Sequence, residues 1–254
     1  MTVEFEKRGR LGIITLNRPD ARNAINGMMA AGIEDAIDKI ENDPEIWVGI
    51  LTAKGKAFCA GADLKEINAG NGAALSTERG GFGGITMRER TKPLIAAITG
   101  SALAGGTEIA LSCDMIVVSD STNFGLPEVK RSLVAGAGGL FRLPRVIGMP
   151  VALEVILTGD PLTSQRAYEL GMVNKVVPEA DVMDEAVKLA ERITANAPIA
   201  VQASRSVTID ALKEDDATLW TASGNAFAKV VKTEDFKEGP LAFIEKRAPV
   251  WKGK

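Results

Sequence analysis

The chain has 254 residues, 46% hydrophobic and 25% charged, which excludes a disordered polypeptide and is long enough to bury a substantial core. Its formal net charge of −3 offers no basic footprint, so neither nucleic acid nor an anionic membrane is expected as a partner. No histidine is present, which excludes a Ser-His-Asp triad, a Cys-His pair and a histidine-rich metal site; proton transfer near neutral pH falls to carboxylates, lysines or the single tyrosine, Tyr168.

Met1 to Asn17 alternates charged and apolar side chains, unlike a signal peptide or anchor, and no segment reaches the roughly 20 apolar residues of a membrane span. A cytoplasmic location is expected, with Cys59 and Cys113 reduced and packed. Thr2 to Lys7 and Leu11 to Leu16 flank Arg8-Gly9-Arg10 and predict a β-hairpin. Met29, Ile33, Ala36, Ile37 and Ile40 recur at helical spacing, and Ile46 to Thr52 reads as extended. Between Glu66 and Arg90, six glycines lie among polar residues with no sustained period, which reads as a long mobile loop, either disordered or a lid.

Leu94 to Thr99 and Met115 to Ser119 bracket a helical stretch beginning near Gly105. This alternation of strands and helices predicts an α/β fold with substantial parallel pairing. Past residue 145 helices dominate: Pro150 and Pro198 serve as starts, Thr163 as a cap, Gly159 and Gly171 as stops. Val173 to Val177 is the last strand. Trp220, Phe227, Val230 and Val231, continued by Phe243 and Ile244, form an apolar stripe that reads as core or as a surface packed on another subunit. The expected division is a core of residues 1–196 and a helical subdomain of residues 197–254.

Three segments could carry chemistry. Lys56 to Lys65 contains Ala60-Gly61-Ala62-Asp63-Leu64, whose small residues let a ligand approach the backbone. Ile98 to Glu108 leads from a strand through Ala104-Gly105-Gly106 into a helix, where free N–H groups can hold an oxyanion and Glu108 stands in the first turn. Phe124-Gly125-Leu126-Pro127-Glu128 places a second carboxylate behind a proline, shortly before Gly136-Ala137-Gly138-Gly139. Taken singly, each is an ordinary turn or a solvated acid.

In order along the chain, these segments resemble the crotonase superfamily, the enoyl-CoA hydratase/isomerase family. Asn17-Arg18-Pro19, Pro93 to Ala97, Leu157-Thr158-Gly159 and Phe243 to Arg247 fit the same pattern, so the resemblance covers essentially the whole chain. It implies a spiral of strand-strand-helix turns with a C-terminal helical subdomain that assembles homotrimers or hexamers. It matches Ala62 and Gly105 N–H to two oxyanion donors, and Glu108 and Glu128 to the two glutamates with which hydratases add water to a 2-enoyl-CoA, Glu108 acting on the water and Glu128 supplying the proton to C2. Coenzyme A would enter as part of the substrate, with no prosthetic group and no metal. Ala60, Asp63 and Leu64 match the adenine-side turn and Lys246 a phosphate-binding cation, commonly from a neighbouring subunit; Arg22, Lys56 and Lys65 are further candidates that read equally as solvated cations.

Four departures stand out. Ala104 replaces a glycine, Ser101 a tyrosine and Ala135 a proline, and Lys130-Arg131 follows Glu128 where many members are apolar. Both cations are expected to face solvent or a subunit contact; a cation reaching Glu128 would lower its pKa and weaken it as an acid. The phenylalanine and methionine of the glycine-rich loop, Phe82 and Met87, are expected to shape an acyl pocket, with short, long and ring-bearing acyl groups all open. The competing readings are an enoyl-CoA isomerase, a hydroxyacyl-CoA dehydratase or a non-catalytic acyl-CoA binding protein.

Overall fold

The computed structural model describes all 254 residues. β1 (Val3–Arg8) and β2 (Leu11–Leu16) form the antiparallel hairpin that their alternation predicts. α1 (Gly27–Asn42) follows, its start fixed by Asn26, whose side chain accepts the Met29 N–H. The chain then repeats strand, strand, helix. The first pass is β3 (Val48–Ala53), β4 (Ala57–Cys59) and α2 (Leu64–Asn68), trailed by a ribbon of β5 (Ser76–Thr77) and β6 (Gly81–Phe82). The second is β7 (Leu94–Ile98), β8 (Ser101–Leu103) and α3 (Gly105–Ala110). The third is β9 (Met115–Ser119), β10 (Asn123–Gly125), a 3₁₀ turn at Pro127–Arg131 and α4 (Gly139–Ile147). Then come α5 (Met149–Thr158), β11 (Leu162–Thr163), α6 (Ser164–Glu169), β12 (Lys175–Val177), α7 (Val182–Thr194), α8 (Pro198–Thr208), α9 (Asp216–Val231) and α10 (Asp235–Glu245).

Each pass gives one strand to each of two sheets. The larger runs β1-β2-β3-β7-β9-β12, parallel beyond the first pair; the smaller runs β11-β10-β8-β4, parallel except at β11. This is the expected α/β spiral. Side chains of the larger sheet alternate between two apolar layers: Leu11, Ile13, Val48, Ile50, Ile95, Ala97 and Val117 meet α7 through Val182, Ala186 and Ala190. Their neighbours Ile14, Leu16, Leu51, Ala96, Ile98 and Val118 face the main core. Burial on both faces explains why these strands read as nearly unbroken apolar runs. No helix is long and apolar enough to cross a membrane.

Two expectations change. The glycine-rich stretch is not an unstructured loop: Leu75 and Ile85 are buried, and Arg79 pairs with Glu34 at 2.9 Å and with Asp38 at 2.6 Å, while Arg88 grips the same Asp38. It lacks periodicity because α1 shapes it. The last strand covers only Lys175–Val177, with the Asn174 side chain accepting the Ile116 N–H at 2.8 Å. Three helices do follow residue 197, but α8 is tied to the core: Arg205 and Arg90 converge on Asp114, at 2.8 and 3.1 Å. The far end returns too, the Trp251 indole donating to Ala195 O at 2.7 Å.

Asn23 locks the first turn to β4. Fully buried with φ 53°, it accepts the Arg18 N–H at 2.8 Å and donates to Lys54 O at 2.9 Å and Ala57 O at 2.8 Å. Asn23→Ala leaves those groups unpaired on left-handed backbone and is expected to cost about 3 kcal/mol or more, read as a lower urea midpoint with unchanged slope; an unchanged midpoint would refute the locking role.

Candidate active site

Parallel pairing of β4, β8 and β10 brings three turns to the same end of the smaller sheet. After β4, Ile25 N–H donates to Gly61 O at 2.8 Å and Asp63 N–H to Ile25 O at 2.9 Å, so the turn is clamped while Ala62 N–H makes no hydrogen bond within the chain. After β8, Ala104 N–H donates to Gly125 O at 2.8 Å, and the buried Thr107 hydroxyl accepts the Gly125 N–H at 3.0 Å. Ala104 itself sits at φ 53°, ψ −127°, a conformation glycine would take more easily and one that costs an alanine about 1–3 kcal/mol. Gly105, next in line, also keeps its N–H free. The two turns touch: a Cβ added at Gly61 would stand 3.0 Å from the Gly105 nitrogen. Ala62 and Gly105 line one cavity of about 1020 Å³.

Glu108 and Glu128 line that cavity as well. Glu108 is only 3% exposed, in the short helix α3, and its Oε1 accepts the Gly139 N–H at 2.9 Å, the first amide of α4. Burial pushes its pKa above the ordinary glutamate value, opposed by the Gly139 and Ala137 N–H groups and by the Arg142 guanidinium. Glu128, half-buried on the 3₁₀ turn, is raised chiefly by burial as well, with its own N–H opposing, the Glu108 charge adding to the rise and Arg131 lowering it. The two carboxyls are supported unequally. Each has an N–H and an arginine acting on it, Arg142 for Glu108 and Arg131 for Glu128, but Glu128 Oε2 is buried with no hydrogen-bond partner, whereas Glu108 Oε1 accepts the Gly139 N–H at the start of α4.

Of the other expected residues, Ala60, Leu64 and Arg22 line the same cavity. Asp63 does not: its carboxylate binds Arg18 at 2.7 Å and caps α2 at Lys65 N–H, and the Arg18 hydrogen bond holds its pKa low. Its part is to fix the turn beside the cavity. Lys246 caps α10 and lies outside the cavity of its own chain; Lys56 and Lys65 are exposed and outside it too. Lys130 faces outward as expected and pairs with Asp160 at 2.7 Å. Arg131 corrects the expectation, since the tight turn ending at Ser132, φ 55°, leaves it lining the cavity with Glu128. Phe82 and Met87 line the wall as expected. Arg142, on α4, was not among the expected residues, and its position in the first turn of a helix, where a cation opposes the dipole, is the signal that marks it. Cys59 and Cys113 are free thiols, both pushed up to about 12 by burial.

A two-sheet spiral with paired carboxyls, one buried and one half-buried, on successive turns defines an enzyme of the crotonase superfamily. The enoyl-CoA hydratase/isomerase family model matches residues 6–254, and the chain belongs to that family. The short-chain-enoyl-CoA hydratase of Clostridium acetobutylicum is 39% identical over 250 residues, 96% of this chain and 95% of that protein. Carnitinyl-CoA dehydratase of Escherichia coli strain K12 is 37% identical over 259 residues, 100% of this chain and 99% of its own. An enoyl-CoA hydratase structure from Mycobacterium tuberculosis H37Rv superposes with a TM-score of 0.95 at 45% identity, covering 100% of this chain and 99% of that one. Because these relatives' names differ in substrate, the reaction has to be argued from the site.

A carboxyl whose pKa is higher folded than unfolded takes up a proton on folding between the two values, so its contribution to stability declines as pH rises through that window. Glu128→Gln removes the charge that this site supports poorly. The variant is expected to melt above the parent at about pH 8, with the gap closing below about pH 4, where the unfolded carboxyl is protonated too. Equal melting temperatures at the higher pH would mean that Glu128 is freely solvated.

Proposed function

We propose that this enzyme is an enoyl-CoA hydratase that adds water across the C2–C3 double bond of a 2-enoyl-CoA thioester. The observation that carries the reading is the unequal support of the two carboxyls in one cavity. Glu108, with the Gly139 amide and a cation beside it, is suited to be the anion that takes a proton from water as the oxygen bonds to C3. Glu128, without a partner for its buried oxygen, is suited to hold the proton that C2 receives. Water supplies hydroxyl to C3 and leaves its proton on Glu108; Glu128 gives its proton to C2 and regains one through solvent. As C2 accepts electrons, charge builds on the thioester oxygen, and the free Ala62 and Gly105 N–H groups are placed to receive it, each such donor worth about 2.7–4 kcal/mol of barrier.

Addition of water changes no oxidation balance and calls for no prosthetic group; coenzyme A is the carrier half of the substrate. Ala60, Leu64 and Arg22, at the same cavity, are proposed to receive it, with Asp63 holding their turn. Dehydration of a 3-hydroxyacyl thioester would use both carboxyls in reverse, whereas double-bond migration needs only proton relocation. Glu108→Gln and Glu128→Gln are each expected to lower hydration by about 10²- to 10⁴-fold, followed as loss of the enoyl-thioester absorbance, with binding of the CoA ester retained. Migration of the double bond without hydration, in the parent enzyme, would sink the proposal.

Residues 197–254 are proposed to build the oligomer, a trimer or a pair of trimers. Trp220 is 77% exposed and Phe227, Phe243 and Ile244 lie open as well, more apolar surface than a lone chain sustains. Lys246 borders this surface, which suits a contribution to a neighbour's nucleotide site. Light scattering should give the mass of at least three chains for the parent and a smaller species for Trp220→Ser combined with Phe227→Ser; a monomeric parent would overturn this.

A further inference from the structure

Arg142 takes no part in the proposed bond changes, yet it joins the segments that surround Glu108. Its Nη1 donates to Ala137 O at 3.1 Å and its Nη2 to Thr86 O at 2.5 Å. Ala137 belongs to the glycine-rich turn that ends at Gly139, whose N–H holds Glu108 Oε1. Thr86 is buried in a separate segment of the cavity lining, the one that carries Phe82 and Met87. The guanidinium packs against the turn: Gly138 has φ 110°, and a Cβ there would stand 2.2 Å from Nη1. Reaching carbonyls on two separate segments while keeping a fixed charge is a task for a planar fork, which lysine lacks.

We propose that Arg142 is the positioning residue of Glu108: it clamps the 136–139 turn to the Thr86 segment so that the Gly139 amide stays on the carboxylate, and in doing so it holds a fixed positive charge on the same side of the cavity as that amide. The inference rests on the reading of Glu108 as the base. The charged groups around Glu108 are few. The 3₁₀ turn brings Glu128, which the Glu108 charge affects directly, and Arg131; α4 brings Arg142, with Arg145 next along that helix; Arg90, from the segment before β7, and the Cys113 thiol act on Arg142. Arg142 is the cation that acts on Glu108.

The test compares Arg142→Gln, which keeps an amide donor without charge, with Arg142→Lys, which keeps charge without the fork. A base must be deprotonated, so losing its counter-charge moves the acid limb of kcat/KM upward. Arg142→Gln is expected to shift that limb by about one pH unit or more, and Arg142→Lys to leave it in place while lowering kcat about 10- to 100-fold through misplacement. In a Glu108→Gln background, adding Arg142→Gln should lower kcat no further. Infrared difference titration against Glu108→Gln reads the Glu108 carboxyl without substrate, so the coupling is decided even if hydration itself is not the reaction. A folded Arg142→Gln with an unmoved Glu108 titration would overturn the proposal. If that variant does not fold, parent kcat in Arg142→Lys would overturn it.

Discussion

Parallel pairing among β4, β8 and β10 is the constraint from which the site follows. Each strand is only three residues long and contributes few hydrogen bonds. Their shared direction nevertheless makes successive turns of the chain end at one edge, so Ala62, Gly105 and Glu128 meet although 66 residues separate the first from the last. The larger sheet supplies stability and the smaller one supplies aim. Buried on both faces, the larger sheet holds the register; the short strands hang from it and place backbone amides where a carbonyl can reach them.

Electrostatic inequality is the second principle of the site. Two carboxyls that share a cavity cannot both be charged at low cost, so a small difference in surroundings sorts them into one anion and one acid. Here the difference comes chiefly from the backbone, since each carboxyl has an arginine acting on it. The Gly139 N–H at the start of α4 and the Arg142 guanidinium both serve Glu108, while the buried Glu128 oxygen is served by neither. With no histidine in the chain, the proposed hydration relies on this inequality in place of the imidazole that usually moves protons near neutral pH.

The hairpin, α1 and the paired passes of strand and helix were legible because local periodicity and burial coincide there: Met29, Ile33 and Ile37 are all buried on one helical face. Caps were legible for a similar reason, the Thr163 side chain accepting Arg166 N–H and Gly159 closing α5 in left-handed backbone. The 66–90 stretch was not, since its order derives from Glu34 and Asp38 of α1 and no local pattern records such partners. Ala62, Gly105 and both glutamates were found through the ordered motif set, not from any single turn. Arg142 escaped because its partners are carbonyls five and 56 residues away, and its one local sign, a cation in a helix's first turn, shows only once the start of α4 is known.

Cys59 carries a consequence of its own. It lies on β4, immediately before the turn that holds Ala62, and any Cβ at Gly106 would collide with its carbonyl oxygen. The conjugated thioester proposed as substrate is an electrophile toward sulfur anions, and Cys59 lies on the strand that leads to the cavity without lining it. Burial pushes that thiol up to about 12, so at neutral pH it stays in the protonated, poorly nucleophilic form. The same tight packing that aligns the backbone thus keeps this thiol from capturing the proposed thioester.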